Sequence, residues 1–401
     1  MIKNKLFSVF IIFFCSLQIL NAEDFKYLLN KALESNSNLK SSEIEVELAK
    51  EKGSILTRFD NPTIDFNYSS YKLKEKRNKE NGQGISVTQK IVPWYVANDK
   101  ERLSEATIKN EVNKYNLDKQ EFIKELSIRY TIYAKSKSFF YVINESHKIA
   151  TKVYEISNER YKVGAISKAE LLQSEIELME IKKKKDELNL DVMNNYYDLI
   201  QFAGIEKNQY FDLDSTHKFI VTNNTTLEKN PFINSEESKK DMLLAESKLN
   251  SNVIDSFDLT YSYSEEPDQI VNQIGISLPL PIFNSKSEES KIAKLTATKM
   301  NLLVNKEKQQ AINEYEKLIK ERILLNDLKT ANENILNLQV DSLSMLIEKL
   351  KISQISILDI QNSKAKLIQT MTDIVNIDTA LNQNAISINY ITGEYNGMTP
   401  S

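Results

Sequence analysis

The chain has 401 residues, 41% of them hydrophobic and 27% charged, with a formal net charge of −4. That balance excludes a generally basic nucleic-acid footprint, and the length allows one large or two smaller domains. Glycine (8) and proline (7) are so scarce that their positions mark where regular structure stops.

The N-terminus reads as a secretory signal over residues 1–22. Lys3 and Lys5 precede the apolar run Leu6–Leu20, and small Ala22 stands before Glu23-Asp24. The run is short for a spanning helix, with a retained anchor as the other reading. The only cysteine, Cys15, lies inside this segment. Cleavage at Ala22 would leave a mature chain with neither disulfides nor thiolate metal sites. Lipidation of Cys15 is disfavoured, because "IFFC" lacks the small residues expected before a lipidated cysteine.

A first repeat is expected over 23–205. It opens with a helix at about Phe25–Ile55, followed by "TIDFNYSSY" (63–71) and "GISVTQKI" (84–91). Both runs alternate apolar and polar residues at the strand period of two. From Tyr95 to Arg160 a helical pattern runs on without glycine or proline. As a helix it would reach about 100 Å, more than a compact domain of this size needs. "RYKVGAIS" (160–167) supplies a turn at Gly164, and a return helix over about Lys168–Phe202 stops at Gly204. Residues 206–231 read as an irregular connector.

The plan then recurs over 232–393: a helix at about Asn234–Asn252, "FDLTYSYS" (257–264), "QIGISLPL" (273–280), a long helix over about Ser285–Leu350, the turn "KISQISIL" (351–358) and a return helix over about Asp359–Thr392 ending at Gly393. Residues 394–401 form a tail. The chain is read as an internal duplication. Apolar stripes at Leu336, Val340, Leu343, Ile347, Leu350 and at Leu328, Ala331, Ile335, Leu338 would let the second long helix bury two flanks. An ordinary bundle would also use two stripes.

The four alternating runs fit membrane strands with one apolar face, and equally a small soluble sheet. Four strands cannot close a membrane barrel, and open edges are not tolerated in lipid. If they span a membrane, several copies must share one barrel. Pro93 and Pro281 stand where strand gives way to helix, a position proline suits.

With these motifs assembled, the sequence resembles the TolC-type outer membrane efflux family. The resemblance rests on the duplicated plan, on "NPTIDFNYS", "GISVTQKIVPW" and "GISLPLPIF", and above all on "RYKVGAISKAELLQSEIEL" (160–178). It implies a mainly α protein with membrane β structure. Long periplasmic helices would form an α-barrel, and four strands per chain would enter a shared 12-stranded barrel in the outer membrane of a homotrimer. It implies an exit duct for efflux or type I secretion that meets outer-membrane lipid, a periplasmic adaptor and an inner-membrane transporter, with no catalytic centre, cofactor, metal or nucleic-acid partner. The alternative is a soluble periplasmic coiled-coil adaptor.

The resemblance further implies a periplasmic gate at Asp359, with Glu170 as its counterpart in the first repeat. Asn362 and Leu350 stand where the family has a second aspartate and an aromatic residue. Copies of Asp359 around one axis would attract cations, but a carboxylate there also suits the helix dipole. Adaptor contacts are expected at the turns: Arg160, Tyr161, Val163, Gly164, Ile166 and Ser167, and Lys351, Ile352, Ser353, Ile355 and Ser356. "KKKK" (182–185) reads as a solvated helix face, and the lysines of "KLKEKRNKEN" (72–81) as a loop between strands.

Overall fold

A computed structural model describes residues 25–72, 79–205, 213–221, 227–283, 285–351 and 355–394. The expected signal segment with Cys15, loop residues 73–78, parts of the connector, Ile352, Ser353 and residues 395–401 lie outside the described residues.

In chain order the elements are α1 (Phe25–Ser35), α2 (Ser37–Thr57), β1 (Thr63–Lys72), β2 (Lys79–Ile91), α3 (Trp94–Lys162), α4 (Lys168–Ala203), α5 (Pro231–Asn250), β3 (Phe257–Glu266), β4 (Gln269–Ser277), α6 (Ser287–Lys351) and α7 (Ile357–Thr392). The expected mainly helical class with four strands is observed. The long helices have 69 and 65 residues, and both return helices have 36.

Three local expectations are corrected. The opening helix is two helices, because Asn36 breaks it and its side-chain Oδ1 accepts from the Leu39 N–H at 3.0 Å, capping α2. β4 is shifted: it starts at Gln269, directly after the Pro267-Asp268 turn, and ends at Ser277 rather than including 278–280. Pro279 and Pro281 offer no N–H to a ladder. β2 begins five residues earlier than its alternation suggests, since 79–83 is polar and is carried by pairing with β1.

The chain divides into two units. One takes the chain up to Leu39, Asp118–Asn230 and the chain from Ala311; the other takes Lys40–Leu117 and Pro231–Gln310. In the first, α1 packs Phe25, Leu28 and Leu29 against Ile123, Leu126 and Tyr130 of α3, Leu199 and Ile200 of α4, and Ile386 of α7. The described connector residues join this core through Leu213 and Phe219. Their backbone is held by side chains: the Phe219 N–H donates to Asn382 Oδ1 at 3.2 Å, and Asn389 Nδ2 donates to the Ile220 carbonyl at 2.9 Å. Irregular backbone packed on a core needs such partners, and Asn382 and Asn389 of α7 supply them here.

The second unit contains the antiparallel sheet, in the order β1-β2-β3-β4. The central β2–β3 pair joins strands of the two halves, and Thr88 and Thr260 hydrogen-bond across it at 3.0 Å.

Candidate functional site

Two places gather the residues singled out by sequence: the turns where the long helices reverse, and the sheet.

At the turns both return helices begin alike. Ser167 is the N-cap of α4; its Oγ accepts from the Glu170 N–H, and Glu170 Oε2 accepts from the Ser167 N–H at 2.8 Å. Ser356 is the N-cap of α7, and Asp359 Oδ2 accepts from its N–H at 3.1 Å. The cap backbones match as well, with φ −74 and ψ 159 at Ser167, and φ −83 and ψ 159 at Ser356. Each box satisfies two N–H groups that a helix start leaves open. The carboxylates expected at a gate therefore have a local duty, and both side chains remain exposed. Hydrogen bonds from Ser167, backbone first and hydroxyl second, hold the Glu170 carboxyl below its ordinary pKa. The C-caps also correspond: Gly204 and Gly393 are left-handed, at φ 70 and 71.

Behind the caps lies a small core. Val153 of α3 packs with Leu343, Ile347 and Leu350 of α6 and with Ile357, Ile360 and Leu367 of α7. Ile166 and Ile355, from the two turns, are partly buried against it. Leu350 is fully buried here. Arg160 Nη1 donates to the Leu350 carbonyl at 3.1 Å, joining the ends of α3 and α6. Asn362, Tyr161, Val163 and Gly164 are exposed, and Lys351 is the last residue of α6.

Sequence reasoning missed one group. Lys364 forms an ion pair with Glu177, whose other oxygen accepts from Gln361 Nε2 at 2.6 Å, linking α4 to α7. Only 7% of the Lys364 side chain is exposed. The signal was present: Ile357, Ile360, Lys364, Leu367 and Met371 step by helical spacing, so a lysine occupies an apolar stripe.

In the sheet, register sorts the side chains into two faces. One row reads Ile64, Val87, Tyr261, Ile274, and the next Phe66, Ile85, Tyr263, Asn272. The other face reads Thr63, Thr88, Thr260, Gly275, then Asp65, Ser86, Ser262, Gln273. The alternation seen strand by strand thus continues across all four strands as one apolar and one polar face. Ile64, Phe66, Tyr68, Ile274 and Ile276 are exposed. The apolar positions of β3 run from Phe257 to Tyr263, a rise of roughly 20 Å at strand spacing, comparable with the apolar band of a membrane strand. Among the described residues, β1 and β4 each pair on one side only. Among the described residues no helix is long and apolar enough to cross a membrane, and no group of His, Cys, Asp and Glu could hold a metal ion.

Residues 28–204 match the family model "Outer membrane efflux protein". No curated protein sequence matches the chain significantly. Among solved structures, the CmeC outer membrane channel of Campylobacter jejuni has 18% identity and a TM-score of 0.71, over 92% of this chain and 85% of that one. The outer membrane protein VceC of Vibrio cholerae has 11% identity and a TM-score of 0.75, over 92% and 95%. The MtrE outer membrane channel of Neisseria gonorrhoeae, in its open state, has 12% identity and a TM-score of 0.73, over 92% and 88%. The chain therefore resembles the TolC-type outer membrane efflux proteins, in sequence over residues 28–204 and in fold over 92% of its length.

Proposed function

We propose that this protein is an outer-membrane efflux duct: three copies share a 12-stranded barrel, and their long helices form a periplasmic tunnel. The observation that carries this reading is the sheet with one apolar face, one polar face and two edge strands, β1 and β4, that pair on one side only among the described residues. Lipid leaves no water to satisfy an open edge, and four strands are too few to close on themselves. Neighbouring copies supply the missing edges, with apolar faces toward lipid and polar faces toward the lumen.

In this reading the chain performs no chemistry. A periplasmic adaptor docks on the turns around Gly164 and Ser356, and an inner-membrane transporter supplies the energy. Exposed Glu170, Asp359 and Asn362 stand near the tunnel mouth, where repeated carboxylates favour cations. Buried Leu350 supports the mouth by packing. The two halves, residues 23–205 and 232–393, each contribute one hairpin of the tunnel wall.

Planar lipid bilayers test the activity. The purified protein should add discrete conductance steps that favour cations, with the preference reduced in Asp359→Asn and Glu170→Gln. A bilayer that stays silent while outer-membrane fractions retain the protein would contradict a through-going duct.

A further inference from the structure

At the hairpin end of the sheet one glycine stands where three strands meet. A Cβ on Gly82 of β2 would lie 2.7 Å from Tyr71 Cε2 of β1, 2.6 Å from the Glu265 carbonyl oxygen of β3 and 3.6 Å from Glu266 Cα. The Tyr71 ring therefore lies across the bare glycine backbone. Its burial agrees, since Tyr71 is the one residue of β1 that is half-buried rather than exposed. Glycine within a strand often marks such a close approach. A half-buried ring placed this way keeps one side on backbone and one side toward solvent.

Register decides what else shares that face. Tyr71 pairs with Glu80, Ser69 with Gly82, and Glu266 with Gln269. By the alternation of side chains, all of these lie on the polar face. Lys72, Lys79 and Glu265 alternate onto the other face. Among the described residues, the nearest basic residue along β2 on the polar face is Lys90. It stands eight residues from Gly82, roughly 26 Å at strand rise.

An aromatic ring beside two carboxylates favours one kind of ligand. The face of a ring attracts cations, and quaternary ammonium groups suit it well. Small metal ions instead demand a set of oxygen ligands, and no group of His, Cys, Asp and Glu among the described residues could hold one. Glu266 Oε2 already accepts from Gln269 Nε2 at 2.9 Å, so Glu266 contributes charge more than open coordination.

We propose that Tyr71, seated on Gly82 beside Glu80 and Glu266, forms a binding site for organic cations of the quaternary ammonium or planar aromatic class. Its role rests on the reading of the polar face as lumen, where it is a last contact for a cationic substrate before release. Its residues come from one chain, so the site itself stands whether or not copies assemble.

Ethidium, a planar aromatic cation, is the probe. Its fluorescence anisotropy would be titrated with the protein in neutral detergent, with protein-free micelles subtracted. Affinity should hold in Tyr71→Phe and rise in Tyr71→Trp, because tryptophan is the best cation–π partner. It should fall about three- to tenfold in Tyr71→Leu, the loss of one such contact. Gly82→Ala displaces the ring and should weaken binding likewise. Glu80→Gln with Glu266→Gln leaves the ring in place and should also weaken it. Where Tyr71→Leu disturbs the hairpin, the Phe and Trp variants and the carboxylate pair still decide. Three results overturn the site: no binding above the micelle background, unchanged affinity in folded Tyr71→Leu, or unchanged affinity in the carboxylate double variant. Conductance in planar bilayers separates this from the duct reading. Silent bilayers with ethidium binding intact would sink the duct and keep the site, whereas conductance without ethidium binding would sink the site alone.

Discussion

Glu177 on α4 and Lys364 on α7 form an ion pair within the protomer, with Gln361 donating to the second carboxylate oxygen of Glu177 at 2.6 Å. The pair ties the two return helices together behind their capped starts. Removing one partner leaves a buried charge unpaired, whereas removing both leaves none. Glu177→Leu alone should cost about 3–5 kcal/mol, and Glu177→Leu with Lys364→Met should recover most of that. Thermal unfolding in detergent compares the two. Equal losses in the single and double variants would show that the pair is not the source of the stability.

The capping boxes give a pH dependence. The folded pKa of Glu170 is depressed by hydrogen bonds from Ser167. Its contribution is therefore complete above the ordinary carboxylate pKa and is lost as pH falls through the lower folded value. Amide exchange across 167–171, corrected for intrinsic rates, should accelerate in that acid window and not near neutrality. Ser167→Ala should loosen the same amides at neutral pH, at a cost of about 1 kcal/mol.

Two left-handed glycines should respond differently to alanine. Gly164 has φ 72 and open space where a Cβ would stand. Gly393 has φ 71, and a Cβ there would run into the Lys229 carbonyl. Gly164→Ala bears only the conformational cost of about 1–2 kcal/mol. Gly393→Ala bears that cost and also displaces backbone. Melting curves should rank Gly393→Ala well below Gly164→Ala, and a reversed order would contradict the contact.

Leu350 is a packing residue of the turn core. Leu350→Ala should cost about 2–5 kcal/mol through the cavity it leaves. Leu350→Tyr overfills the site, at about 1–3 kcal/mol. Both should raise proteolytic cutting in 160–168, measured by peptide mapping. An unchanged cutting rate would detach Leu350 from that core.

The faces of the sheet predict an asymmetry. Ile274→Lys puts a charge on the apolar face, at about 2–4 kcal/mol if it meets the bilayer midplane. Ser262→Lys puts the same charge on the polar face, one strand away in the register. Folding yield into vesicles should fall for the first and hold for the second. Equal yields would mean that the apolar face does not meet lipid.

The order of elements was legible in the sequence because scarce glycine and proline fall where structure changes, with Gly164, Gly204 and Gly393 closing helices. The two sheet faces were legible strand by strand. Pairing was not: residues 79–83 have no strand pattern of their own and extend β2 only against β1. The break at Asn36 was hidden in a continuous helical pattern, because one side-chain cap decides it. Glu170 and Asp359 stood out as acids near a helix start, but the reciprocal bonds to Ser167 and Ser356 emerged only with backbone geometry. The partner of Lys364 could not be read at all, since it comes from the other half of the chain.

The central claim is that several copies close one barrel in the outer membrane, and the mass of the native particle tests it most directly. Envelopes would be extracted in mild detergent and the protein-only mass of the complex obtained by light scattering. Three chains of 46.2 kDa, less any cleaved signal, recovered from the outer-membrane fraction, is the predicted result. A monomer released without detergent would contradict the shared barrel and leave the four strands as an ordinary sheet.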